Sequence, residues 1–60
     1  MNTKERFFKV YANLPINVRK EIIVVIDNEP ISWQVAYLEI SNDTKLSKII
    51  LEKLDALEVI

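Results

Sequence analysis

The N-terminal part of the chain has the apolar spacing of an amphipathic helix. Four residues at positions i, i+3, i+4 and i+7 share one helical face: Phe7, Val10, Tyr11 and Leu14. Asn2 is a suitable N-cap, and Glu5 follows it at the third helical position, where a carboxylate favours the helix start. Pro15 ends the pattern, because the residue before a proline is pushed out of the helical conformation. The spacing predicts a helix over 3–13.

The middle of the chain contains a wholly β-branched run, Ile22 to Ile26, which favours a buried strand over a helix. We therefore predict an extended segment over 21–26, although Asn17 could instead cap a helix through the same residues. The residues from Asp27 to Pro30 have turn composition. Because the chain has no glycine, Asn28 is the residue best suited to a positive φ there. The strand would pair either with residues around Ile31 or with the same strand of a second subunit.

Residues 32–41 fit two patterns, and the choice between them decides the fold. Alternation would make them the second strand of a hairpin, whereas helical spacing collects Trp33, Ala36, Tyr37 and Ile40 on one face. The helical pattern fits better and has an N-cap at Ser32, so we predict a helix over 32–41. On it, Trp33 and Tyr37 could form a stacking platform, but a lone tryptophan on an apolar face is more typical of a core.

The last helix is predicted over 44–58, with Thr44 as its N-cap. Its apolar residues form one stripe, and lysines and acids occupy the other face; the stripe comprises Leu46, Ile49, Ile50, Leu54 and Leu57. The fold class that follows is mainly α, with three helices at about 3–13, 32–41 and 44–58 and a short β segment at 21–26. An α+β fold in the order αββα is the alternative. Residues 1–60 are predicted to form one compact domain.

Composition favours a small cytoplasmic homodimer. A chain of 60 residues forms only a small core, yet 50% of its residues are apolar. Without cysteine, the chain has no disulfide to supplement that core. Eight basic and nine acidic residues nearly cancel, so no strong overall field attracts polyanions. The longest apolar run is far shorter than the roughly 20 residues that cross a bilayer. We expect no membrane association.

The residue types present exclude most catalytic chemistry. Histidine and cysteine are absent, which removes the commonest general base, the strongest nucleophile and the usual zinc ligands. The absence of glycine excludes the phosphate-binding loops of nucleotide sites. Asp27 and Glu29 are interpreted as solvated turn residues, with a weak contact to a divalent cation as the alternative. The prediction is a protein without catalytic residues, cofactor or metal.

The C-terminal half resembles the helix-turn-helix segment of winged-helix DNA-binding domains. Residues from Trp33 to Ile40 match the first helix of that motif, and residues from Thr44 onward match its recognition helix. The run from Leu46 to Ile60 is the closest part, since its leucines and isoleucines would hold the recognition helix against the other two. The resemblance covers about half of the chain.

The resemblance implies a set of residues that would contact DNA. They are polar or basic positions near the start of the last helix, with two more near the phosphate backbone: Thr44, Lys45, Ser47, Lys48, Asn42 and Arg19. Lysines at a helix start oppose the helix dipole, so Lys45 and Lys48 are not explained by helix stability. The sequence thus predicts a small non-enzymatic interaction or assembly module, with a small helix-turn-helix DNA-binding regulator as the alternative.

Overall fold

Three helices and one two-stranded antiparallel sheet make up the fold in the computed structural model, which describes residues 2–60. Their order along the chain places the hairpin between the first and second helices: α1 (Thr3–Ala12), β1 (Ile22–Ile26), β2 (Glu29–Ser32), α2 (Trp33–Ser41) and α3 (Lys45–Ala56). A single 3₁₀ turn, Ile16–Val18, follows Pro15. The fold belongs to the α+β class. No helix within residues 2–60 is both long enough and apolar enough to cross a membrane.

The three predicted helices are confirmed, and their ends fall within two residues of the expected positions. Each begins at a side-chain cap that accepts a hydrogen bond from a backbone N–H three residues later. The accepting side chains are those of Asn2, Ser32 and Thr44. Local hydrogen bonding therefore fixes where each helix starts.

The predicted strand is also confirmed, but describing the fold as mainly α was incomplete. Of the two partners that we considered for β1, the intrachain one is present, because β1 pairs antiparallel with β2 around Ile31. The helical alternative for this region is wrong. The order αββα is not confirmed, since residues 33–41 form a helix and two helices follow the hairpin.

A two-residue turn joins the strands and explains why β2 begins so early. Asp27 and Asn28 both have positive φ, 50° and 66°, as required by the type I′ turn that matches strand twist. Asn28 was expected to adopt this conformation, and Asp27 was not. Glu29 and Pro30, which we assigned to the turn, already belong to β2.

The core lies where the three helices meet one face of the hairpin. Its buried side chains come from every helix and both strands: Phe7, Val24, Ile26, Ile31, Trp33, Ala36, Ile40, Ile50 and Leu54. Trp33 is thus a core residue, as its place on the apolar face indicated. Phe7 packs against it, with the two ring centroids 5.9 Å apart.

The predicted apolar stripe of α3 is too broad. Ile50 and Leu54 are fully buried, but Ile49 and Leu57 are 42% and 60% exposed. Ser47 is buried instead, because it lies one turn before Ile50 on the line that faces the core. Its hydroxyl donates a hydrogen bond to the Thr44 carbonyl, so the burial leaves that polar group satisfied.

Candidate functional site

The hairpin carries apolar side chains on both of its faces. Val24 and its partner Ile31 point into the core together, since paired residues of an antiparallel ladder lie on the same face. The next pair, Val25 with Pro30, therefore points outward. Ile22 pairs with Ser32, which lies on the face opposite Ile31, so Ile22 points outward too.

We call Ile22, Val25 and Pro30 the outer hairpin surface. All three are exposed, Val25 by 56% and Ile22 by 53%. No charged side chain lies within β1 between Ile22 and Ile26. An exposed apolar surface of this kind is typical of a contact site for another protein.

A second feature is an open groove of about 690 Å³ beside α1 and α2. Its floor is aromatic. The rings of Tyr11 and Tyr37 are stacked with their centroids 4.5 Å apart, and Phe8 meets Tyr37 edge to face at 5.7 Å. Stacked rings of this kind join helices by apolar contact and favourable ring geometry.

Two basic residues line the same groove, and both already have partners. The Arg19 guanidinium lies over the Tyr11 ring, 4.5 Å from its centroid, and donates a hydrogen bond to the Tyr11 carbonyl. The Lys4 ammonium binds the Asp43 carboxylate at 2.7 Å. These contacts tie the 3₁₀ turn and the turn after α2 to helix α1, which gives the groove a structural role.

The six predicted DNA-contacting residues differ in exposure and in position. Asn42 and Lys45 are exposed at the turn between α2 and α3, and Lys48 is exposed one turn further. Ser47 is buried, so its side chain is inaccessible to a phosphate. The Thr44 hydroxyl serves as the cap of α3, and Arg19, as described above, lines the aromatic groove.

Acidic side chains accompany the basic ones around α3. Lys48 lines a shallow groove of about 220 Å³ together with Glu52 and Asp55. Asp55 also binds the Arg6 guanidinium at 2.6 Å. Two of the N-terminal cations, Lys4 and Arg6, are thus each paired with a carboxylate. Among residues 2–60, no group of three acidic side chains is placed to hold a metal ion.

Three features were not predicted from the sequence: the outer hairpin surface, the aromatic stacking and the Lys4–Asp43 pair. The sequence does contain a signal for the outer hairpin surface: the run Ile22 to Ile26 is apolar at every position, so a strand there must place apolar side chains on both faces. The other two depend on how α1 lies across α2, which spacing within one helix does not encode. Comparisons with protein-family models, curated proteins and solved structures found no match to this chain.

Proposed function

We propose that this chain is a small non-enzymatic interaction module that assembles as a homodimer through its outer hairpin surface. The observation that carries the proposal is that the two-stranded sheet has apolar side chains on both faces, whereas the helices cover only one of these faces. Val24 and Ile26 lie in the core, whereas Ile22 and Val25 of the same strand are exposed.

The sequence of β1 supports a second covering surface. A continuous run of β-branched residues is typical of strands that are buried on both sides, whereas a strand with one face in water alternates apolar and polar residues. Burying an exposed valine or isoleucine stabilises a protein by up to about 1.5 to 3 kcal/mol. A second subunit that covers part of these side chains would contribute part of this free energy from each copy, to a core that neither a disulfide nor a zinc site supplements.

The non-enzymatic part of the proposal rests on residue types. The sequence lacks histidine, cysteine and glycine. The Thr44 hydroxyl contacts the Glu39 carboxylate at 3.3 Å, but the same oxygen caps α3 by accepting the Ser47 N–H. The polar side chains of Asn2, Ser32 and Thr44 cap helices. Their hydrogen bonds stabilise the fold.

A charge placed on the outer hairpin surface tests the proposal. Val25→Lys should convert a dimer into a monomer, because dimerisation through the hairpin would bring the ammonium groups of the two copies close together. Leu38→Lys is the matched control, since Leu38 is exposed to a similar extent on α2. Size-exclusion chromatography with light scattering separates the two states.

The proposal predicts a dimeric parent, a dimeric Leu38→Lys variant and a monomeric Val25→Lys variant. Circular dichroism should show the same helix content in all three proteins. A dimeric, folded Val25→Lys protein would show that the dimer interface does not include the outer hairpin surface. A monomeric parent at all accessible concentrations would overturn the proposed homodimer.

A DNA-binding regulator is the second candidate, and the connection between α2 and α3 favours it. Three residues, 42–44, join the two helices, which is the turn length of a helix-turn-helix. Asp43 has φ 50°, so the chain reverses there without a glycine. Lys45 and Lys48 are exposed in the first turns of α3, where a recognition helix would meet phosphates or base edges.

A further inference from the structure

We infer that the β1 strands of two copies pair with each other, antiparallel, and join the two hairpins into one four-stranded sheet. The inference rests on the proposed homodimer and specifies the backbone edge through which it forms. It commits to a second copy of this chain as the partner.

Pro30 determines which backbone groups of β1 face that edge. Residues opposite each other in an antiparallel ladder alternate between hydrogen-bonded and non-hydrogen-bonded pairs. Proline has no N–H, and a two-residue turn makes Ile26 and Glu29 a hydrogen-bonded pair, so Val25 and Pro30 form a non-hydrogen-bonded one. The N–H and C=O of Val25 therefore point away from β2.

These two backbone groups are available for pairing. Within residues 2–60, no backbone or side-chain group outside the hairpin forms a hydrogen bond with Val25. The irregularity in the ladder lies between Ile22 and Val24, so the segment from Val24 to the turn is regular. An exposed strand edge with free N–H and C=O groups is a template for another strand.

The two edges of the hairpin differ in their protection. Proteins protect exposed edges with charged side chains, prolines or bulges. The edge of β2 has Pro30, whose missing N–H falls on its outer side. Residues Ile22 to Ile26 of β1 include neither a charge nor a proline, and the irregularity between Ile22 and Val24 leaves the edge from Val24 to Ile26 regular.

One open edge per chain favours a second copy of the same strand and a closed dimer. A two-fold axis brings β1 against β1 of the other copy, which uses up both open edges and leaves the protected β2 strands outside. The β1 strands become the central strands of the sheet. Val25 then has neighbouring strands on both sides, whose side chains cover part of it on the outer hairpin surface, which accounts for a β-branched residue at this position.

Val25→Pro tests the edge directly. It removes the N–H that would bond the second copy, but leaves the bonds between β1 and β2, to which Val25 does not contribute. Val25→Thr is the matched control, since it keeps both the N–H and a β-branched side chain. In sedimentation equilibrium, Val25→Pro should be a monomer with the circular dichroism spectrum of the parent, and Val25→Thr should be a dimer.

The outcomes separate this inference from the proposed function. A dimeric Val25→Pro protein with a native spectrum would overturn edge pairing and leave the homodimer standing. A monomeric parent would overturn both.

If Val25→Pro does not fold, amide hydrogen exchange in the parent dimer decides the matter. The Val25 amide should exchange as slowly as its hydrogen-bonded neighbours Val24 and Ile26, and faster upon dilution to monomer. A fast-exchanging Val25 amide in a dimeric sample would overturn edge pairing.

Discussion

Ile50 and Ile49 are adjacent in α3, yet Ile50 is fully buried and Ile49 is 42% exposed. The sequence placed both on one apolar stripe, because helical spacing gives the direction of the buried face and not its width. The width depends on how the neighbouring elements pack against α3. That packing brings Ser47 into the core and leaves Leu57 outside it.

This difference predicts unequal effects of the same truncation. Ile50→Ala should lower the free energy of unfolding by about 2 to 5 kcal/mol, since it leaves a cavity in the core. A domain of this length has a total stability of only about 3 to 9 kcal/mol. Ile49→Ala is the matched control and should cost well under half as much. Urea denaturation followed by circular dichroism measures both, and equal losses would show that α3 is rotated from the position described.

At the level of the elements, hydrogen-bonding residues in the sequence located the helices well. Asn2, Ser32 and Thr44 were each expected to cap a helix, and each does. The hairpin was harder to predict, because prolines are common in turns and Pro30 was therefore assigned to the turn and not to β2. Recognition of Asp27 and Asn28 as a two-residue turn would have fixed the register and, with it, the outward direction of Val25.

The cap of α3 has a predicted energetic contribution. Thr44→Ala should destabilise the protein by about 1 kcal/mol, because the Ser47 N–H loses its side-chain acceptor and keeps only the Thr44 carbonyl. Thr44→Ser keeps the hydroxyl and should retain most of the stability. Thermal or urea unfolding compares the two variants, and an unaffected Thr44→Ala protein would contradict the assigned cap.

The hairpin turn makes a second prediction. Asn28→Val should destabilise the protein by about 1 to 2 kcal/mol, since a β-branched residue is strained at a φ of 66°. Asn28→Gly removes the side chain without this strain and should be tolerated. Unfolding curves that rank the valine variant equal to the glycine variant would show that the turn has another conformation.

At the level of the whole molecule, net charge predicts weak attraction to polyanions, and the ion pairs of Lys4 and Arg6 reduce it further. The three helices and the strand β1 could be predicted from pattern, but the fold was described as mainly α because Glu29 and Pro30 of β2 were assigned to the turn. The arrangement of exposed surfaces could not be predicted, since it depends on contacts between distant parts of the chain, such as Lys4 with Asp43.

The DNA-binding alternative predicts a strong dependence on two lysines. If α3 is a recognition helix, a double variant with Lys45→Glu and Lys48→Glu should lose binding and keep its fold, since both side chains are exposed. Fluorescence anisotropy with mixed-sequence duplexes at about 50 mM salt measures this, because non-specific binders reach dissociation constants of about 100 μM or tighter at higher, physiological salt. A parent protein that does not bind under these conditions would eliminate the alternative.

Self-association is the central claim, and sedimentation equilibrium of the unmodified chain tests it most directly. The chain has a mass of 7.0 kDa, so a homodimer has twice that mass. We predict dimer mass at micromolar concentration and dissociation upon dilution, with a melting temperature that rises with protein concentration. A monomer mass throughout, with a melting temperature independent of concentration, would contradict the claim.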